Sequence, residues 1–117
     1  PFDCLEDALA LGEEAGRQAG LPTCSWGHAG DGNLHATFLI DAADPDQVAR
    51  AGRAAEILFA GAIELGGTVT GEHGLGLVKR HQLPRQVGPE AMRLMLAVKA
   101  AFDPRNLFNP GKKVVAA

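Results

Sequence analysis

The sequence predicts an α+β fold of helix, β-hairpin and helix, followed by a loop and C-terminal helices. Three observations predict it. Apolar residues recur at spacings of three and four over three long stretches, two short β-prone runs flank a tight Gly/Asp/Asn segment, and Gly or Pro punctuates every boundary.

The first helix spans 3–19, where Leu5, Ala8, Leu9, Gly12, Ala15 and Ala19 form one stripe. Asp3 with Glu6 three residues on has the form of a capping box, and Gly20 and Pro22 end the helix. Thr23 to Trp26 and Leu34 to Ile40 are the β-prone runs, and the segment between them supplies residues suited to a tight reversal. Asp44-Pro45 opens a long helix through Leu65, with Val48, Ala51, Ala55, Leu58, Phe59 and Ala62 on its stripe and Gly66-Gly67 as its stop. Gly66 to Gly76 reads as a loop holding a short strand, Thr68 to Thr70. Val78 to Gln86 reads as a short helix and Pro89 to Phe102 as a longer one, ended by Asp103-Pro104. The natural division is an α+β part over 1–76 and a helical tail over 77–117. A two-stranded hairpin is marginal on its own, so the pattern calls for further strands from a partner segment or a second copy, and a homo-oligomer is expected.

Composition excludes several classes of function. A chain of 117 residues makes one domain or a piece of one. Its 46% hydrophobic and 21% charged residues place it with globular proteins. Net charge is −3 and the basic residues are dispersed, so no stripe exists to neutralise a phosphate backbone, and nucleic acid is not an expected partner. No apolar run approaches the roughly 20 residues of a membrane helix. The first residues are acidic where a secretory signal would be basic, which predicts a soluble, cytoplasmic protein. Cys4 and Cys24 form no C-x-x-C pair and read as reduced structural thiols. The chain opens on Pro1 without an initiator Met, which predicts a piece of a longer polypeptide.

Chemistry concentrates in two glycine-rich segments. His28 and His35 flank Ala29-Gly30-Asp31-Gly32-Asn33, and Glu72-His73 lie within Gly66 to Gly76. A reversal at Gly30-Asp31-Gly32 makes His28 and His35 candidate cross-strand neighbours, a separation two imidazoles sharing one cation can span. Glu72 completes a two-His, one-carboxylate set. That set suits Zn, Mn or Fe(II) with coordination positions left open, whereas structural zinc sites are usually closed and sulfur-rich. Taken singly, a histidine near a turn is usually a hydrogen-bonded turn or core residue, and glycines mark backbone geometry. The combination favours a functional site. His81, with Lys79, Arg80 and Arg85 nearby, reads as a solvated face. Gly71-x-x-Gly74-x-Gly76 has the glycine order of a dinucleotide loop reversed and lacks the surrounding parallel unit.

Gly27-His28-Ala29-Gly30-Asp31-Gly32-Asn33-Leu34-His35, then Gly66 to Gly76, then Phe102 to Lys112 with its Asn109-Pro110-Gly111-Lys112, resemble in that order the C-terminal part of FAD-linked oxidases of the vanillyl-alcohol-oxidase type. The pattern is similar to the branch containing D-lactate dehydrogenases, the glycolate oxidase D subunit and D-2-hydroxyglutarate dehydrogenase. The resemblance implies a flavoenzyme whose N-terminal domain holds FAD and whose C-terminal α+β cap, partly ferredoxin-like, closes over a small 2-hydroxy acid. This chain would be the end of that cap and the helical tail. By position, His28, His35 and Glu72 resemble ligands of a divalent metal, and His73 resembles the active-site base. Asn33 resembles a residue beside the metal that fixes substrate, and Asn109 a tail residue that contacts the flavin. The implied partners are the acid and the N-terminal FAD-binding domain, and the 117 residues alone are expected to be inactive. A stand-alone metallohydrolase using the same ligands to activate water, and a non-catalytic assembly domain, are the alternatives the residues leave open.

Overall fold

The structure, a computed structural model, describes residues 1–114 and divides into two compact units, Pro1–Gly71 and a second beginning at Glu72. In the first unit the order is helix α1 (Leu5–Ala19), strand β1 (Thr23–His28), strand β2 (Asn33–Phe38) and helix α2 (Pro45–Glu64). The α+β class and the helix-hairpin-helix order are those the periodicity predicts.

Helix α1 starts later than the capping box suggests. Phe2–Cys4 form a 3₁₀ turn and Cys4 occupies the N-cap without a side-chain hydrogen bond, so Asp3 caps nothing. The C-terminal end agrees with expectation, because Gly20 is left-handed (φ 63°) and its N–H returns to the helix carbonyls of Gly16 and Arg17. Arg50 of α2 reinforces that end, donating from Nη1 to the carbonyls of Ala19 (2.6 Å) and Gly20 (3.1 Å) while its Nε holds Asp46. Helix α2 begins as Asp44-Pro45 predicts. The Asp44 carboxylate accepts from the N–H groups of Asp46 and Gln47, and these bonds, led by the Gln47 side chain, hold its pKa below the ordinary value.

The packing surfaces are lined by small residues. Gly12, Ala15 and Gly16 are the buried positions of α1, and Ala54 that of α2. Leu9 and Val48, expected on the apolar stripes, stand 39% and 46% exposed, because the contact runs instead along the small residues. A Cβ on Gly61 of α2 would stand 2.3 Å from Cδ2 of Leu11, and one on Gly16 would fall 1.7 Å from the Thr23 hydroxyl. Both glycines therefore permit a close backbone approach. The tight α1–β1 contact fixes which face of the hairpin lies inward.

β1 and β2 pair antiparallel in the register Thr23↔Phe38, Ser25↔Ala36, Trp26↔His35 and His28↔Asn33. Gly12 of α1 lies beneath Ser25 and Ala36, so the odd positions of β1 and the even positions of β2 face the helix. Cys24, Trp26, His28, Asn33, His35 and Thr37 share the opposite face. Thr68 to Thr70 is not a strand. The backbone bends at Val69, and the Thr68 hydroxyl donates to the Thr70 carbonyl (2.8 Å), so β-branched composition does not yield an extended strand here. Val69 is nonetheless buried.

The second unit contains a 3₁₀ turn, Arg80–Gln82, running into helix α3 (Leu83–Phe102). The two helices expected here form one run with a break at Gly88 (φ 78°, ψ 170°), where Pro89 disfavours helical geometry in the preceding residue and a glycine adopts the positive φ readily. After α3 the chain is fastened locally. The Asp103 carboxylate, 6% exposed, accepts from the N–H groups of Leu107 (2.8 Å) and Phe108 (2.9 Å) and from Lys99 Nζ, which also donates to the Phe108 carbonyl (2.7 Å). Farther on, the Lys113 N–H reaches the Gly76 carbonyl and Arg80 donates to that of Gly111. Among the described residues no helix is long and apolar enough to cross a membrane.

Candidate functional site

The hairpin builds a histidine pair from backbone geometry. Gly27 has φ 157°, and a Cβ there would stand 2.1 Å from the Asn33 carbonyl oxygen, so no larger residue fits opposite Leu34. The reversal is a 3₁₀ turn, Ala29–Asp31, closed by Gly32 in the left-handed region (φ 76°). Asp31 fixes it by accepting the Asn33 N–H at Oδ1 (3.2 Å).

This reversal places His28 opposite Asn33, not opposite His35. The expected pairing is thus displaced by two residues. Because side chains alternate with a period of two, the displacement leaves both histidines on one face, as diagonal neighbours. Their rings meet edge to face, with centroids 5.8 Å apart and planes at 81°. Trp26, directly opposite His35, stacks on it at 5.9 Å and 29°. Composition and motif spacing give no sign of Trp26, but the alternation does, since it stands two residues before His28 on the same face.

Asn33 lies at the turn end of this face and packs against the glycine-rich loop. A Cβ on Gly71 would be 2.5 Å from Asn33 Oδ1 and 2.7 Å from its Cγ. A glycine at 71 therefore accommodates the carboxamide. Beside it is a cleft of about 360 Å³ with Asp31, Gly32, Asn33 and Leu34 on one side and Leu5, Ala8, Leu65 and Thr68 among its other walls. Its lining is mixed, with apolar walls and polar groups at the turn, as small-molecule clefts commonly are.

In the second unit, Glu72 and His73 are exposed neighbours with Oε1 and Nε2 3.5 Å apart, an ion pair when the imidazole is protonated. His81 is exposed, as a solvated face predicts, and its Nε2 lies 3.3 Å from the Gln82 amide nitrogen. It borders a cavity of about 500 Å³ walled by Pro84, Pro89, Met92 and Leu96. Asn109 is left-handed (φ 48°), and its carbonyl accepts the Lys112 N–H in the turn that closes the Asn-Pro-Gly-Lys segment. Asp103, read from the sequence only as a helix end, and Lys99 secure the chain just before this segment, and Arg80 donates to the Gly111 carbonyl within it. The lowered pKa of Asp103 reflects first the Lys99 hydrogen bond and then the two backbone N–H groups, against the opposing effect of burial.

Comparison with known proteins agrees with these motifs. Residues 1–113 match the family described as FAD linked oxidases, C-terminal domain. The chain is 52% identical over 92 residues to glycolate oxidase subunit GlcD of Bacillus subtilis, covering 79% of this chain and 20% of that protein. It is 50% identical over 86 residues to a probable mitochondrial D-lactate dehydrogenase of Danio rerio, covering 74% and 17%. To glycolate oxidase subunit GlcD of Escherichia coli it is 44% identical over 87 residues, with the same shares of 74% and 17%. The chain thus spans about a fifth, or less, of the length of these relatives.

Proposed function

We propose that this chain, which belongs to the family of FAD-linked oxidase C-terminal domains, supplies the metal- and acid-binding part of a flavin-dependent oxidoreductase that converts the hydroxyl of a small 2-hydroxy acid to a keto group. One observation carries the reading: two imidazoles meet at 5.8 Å on the hairpin face turned away from α1. The reading also draws on the relatives' names, which are those of a glycolate oxidase subunit and of D-lactate dehydrogenases.

The donors fit a divalent metal. Neutral imidazole is a common ligand for Zn, Mn and Fe, and a carboxylate completes a set that leaves positions open. His28 and His35 would hold the ion with Glu72 as third ligand. Glu72 follows Gly71 directly, and Gly71 is the residue against which the Asn33 carboxamide packs; consecutive Cα atoms are about 3.8 Å apart. When bound, such a metal neutralises the acid's carboxylate and lowers the pKa of its hydroxyl, and the flavin of the enzyme supplies the electron acceptor.

The remaining roles belong to the chain's own groups. Asn33, donor and acceptor in one side chain, fixes the substrate at the turn end of the face. His73, next to Glu72, takes the hydroxyl proton on its imidazole, and the positive charge of the imidazolium so formed is stabilised by that neighbouring carboxylate. Asn109 presents its amide to the flavin from a turn held shut by its own backbone and secured upstream by Asp103.

Metal content and turnover of four variants, measured in the enzyme containing this chain, test the roles. His28→Ala, His35→Ala and Glu72→Ala are each expected to lose metal and activity together, since a three-ligand site has no spare donor. His73→Ala keeps its metal and loses roughly 10²–10⁴-fold in rate. A His35→Ala variant with full metal and full rate would refute the assignment. Metal-dependent ester hydrolysis without bound flavin would instead favour the hydrolase reading.

A further inference from the structure

The single tryptophan of the chain stands where packing does not require it. Trp26 is 55% exposed, on the hairpin face opposite α1, although an indole is the largest apolar group the sequence has to bury. The inward face cannot take it, because Gly12 and Gly16 bring α1 against Ser25, Ala36 and Thr23 too closely. What the indole covers instead is His35, directly across the ladder, with ring centroids 5.9 Å apart and planes within 29°.

We infer that Trp26 is a positioning residue for the metal-ligating imidazole of His35. The inference rests on the metal reading above. An imidazole coordinates through a nitrogen lone pair in the plane of its ring, whereas stacking uses the face of the ring. Trp26 therefore restrains the ring without competing for its donor atoms. The opposite constraint comes from His28, whose ring meets His35 at 81°. Held face-on by one neighbour and edge-on by the other, His35 is confined about both χ angles before any cation arrives. Groups that orient a ligand in this way typically change metal affinity by about 10–100-fold when removed.

Because Trp is single and Tyr is absent, all emission of the full 117-residue chain excited at indole wavelengths comes from Trp26. Added Co(II) is expected to quench that emission saturably in the native chain and not in His35→Ala. Calorimetric titration with Zn(II) is expected to show Trp26→Leu binding at least about 10-fold more weakly than native, with Trp26→Phe restoring affinity to within about threefold. Far-UV circular dichroism of each variant reports whether the hairpin persists. Proton spectra of the metal-free native chain are expected to show the His35 ring protons displaced upfield by the indole, whatever the fate of the variants. Native affinity in Trp26→Leu, with binding abolished in His35→Ala, would overturn the role of Trp26 and leave the metal site standing. Absence of the upfield displacement would overturn it as well. Native affinity in both His28→Ala and His35→Ala would instead overturn the metal reading, and the present inference with it.

Discussion

The hairpin and the tail after α3 hold their candidate functional groups by different means. In the hairpin, His28, Asn33 and His35 occupy their positions because two strands pair in one register around a four-residue connection. In the tail, Asn109 sits in a turn downstream of bonds that all lie within ten residues, from Lys99 and Asp103 to Leu107 and Phe108. A ladder transmits a change at one residue to every rung, whereas a local clamp fails alone. The first arrangement fixes side chains relative to one another and the second only anchors a segment.

Gly27→Ala should produce the largest effect and would test the ladder directly. The new Cβ meets the Asn33 carbonyl at 2.1 Å, so strand pairing must shift. A stability loss of about 2–4 kcal/mol is expected in urea titration. Unchanged stability would show that the strands separate freely and that register does not hold the histidines.

Asp103→Ala should follow, with a smaller and more local effect. Amide exchange is expected to accelerate at Leu107 and Phe108 and to leave the hairpin amides untouched. The pH dependence has a defined sign. The Asp103 pKa is held below its ordinary 3.8, first by the Lys99 hydrogen bond, so its contribution is present in full above that value. It is lost as pH falls through the lowered folded-state pKa. Exchange at the two amides should therefore quicken, relative to the intrinsic rate, only in acid. Matching acceleration in β1 and β2 would mean that the clamp is not local.

The other glycines of the hairpin motif sharpen the contrast. Gly32 is left-handed with open space around it, so Gly32→Ala should cost about 1–2 kcal/mol through backbone strain alone. Gly30 has neither a left-handed backbone nor a neighbour within 4 Å, and Gly30→Ala should change stability by less than about 0.5 kcal/mol. Thermal or urea denaturation of the two variants, compared with Gly27→Ala, would give three unequal losses. Equal losses would dismiss the separate physical reasons given for these glycines.

Much of this arrangement is legible in the sequence because periodicity reports faces. The stripes of α1 and α2 and the histidine-flanked turn establish the element order and the candidate ligands. Register is less legible. It depends on whether the reversal is a 3₁₀ turn ending at Gly32, a conformational choice that composition does not settle, and His28 faces Asn33 as a result. The expectation of neighbouring histidines survives because the displacement is even. Trp26 does not stand out in the sequence, because a lone aromatic in a β-prone run reads as packing. Asp103-Pro104 reads in the sequence only as the end of a helix, and its value as a clamp shows only in the N–H groups of Leu107 and Phe108 that the following residues present, with Lys99 bridging to the Phe108 carbonyl. The strand expected at Thr68 to Thr70 does not form because the backbone bends at Val69, a local geometry that β-propensity does not report.

The alternation of the hairpin makes the histidine pair conditional on a single register. Trp26 and His28 stand at even positions of β1, and Asn33 and His35 at odd positions of β2. A hairpin paired one residue out would turn one strand over and bury one imidazole's position toward α1. The two imidazoles would then stand on opposite faces of the sheet, so the edge-to-face histidine pair exists only in the one register observed.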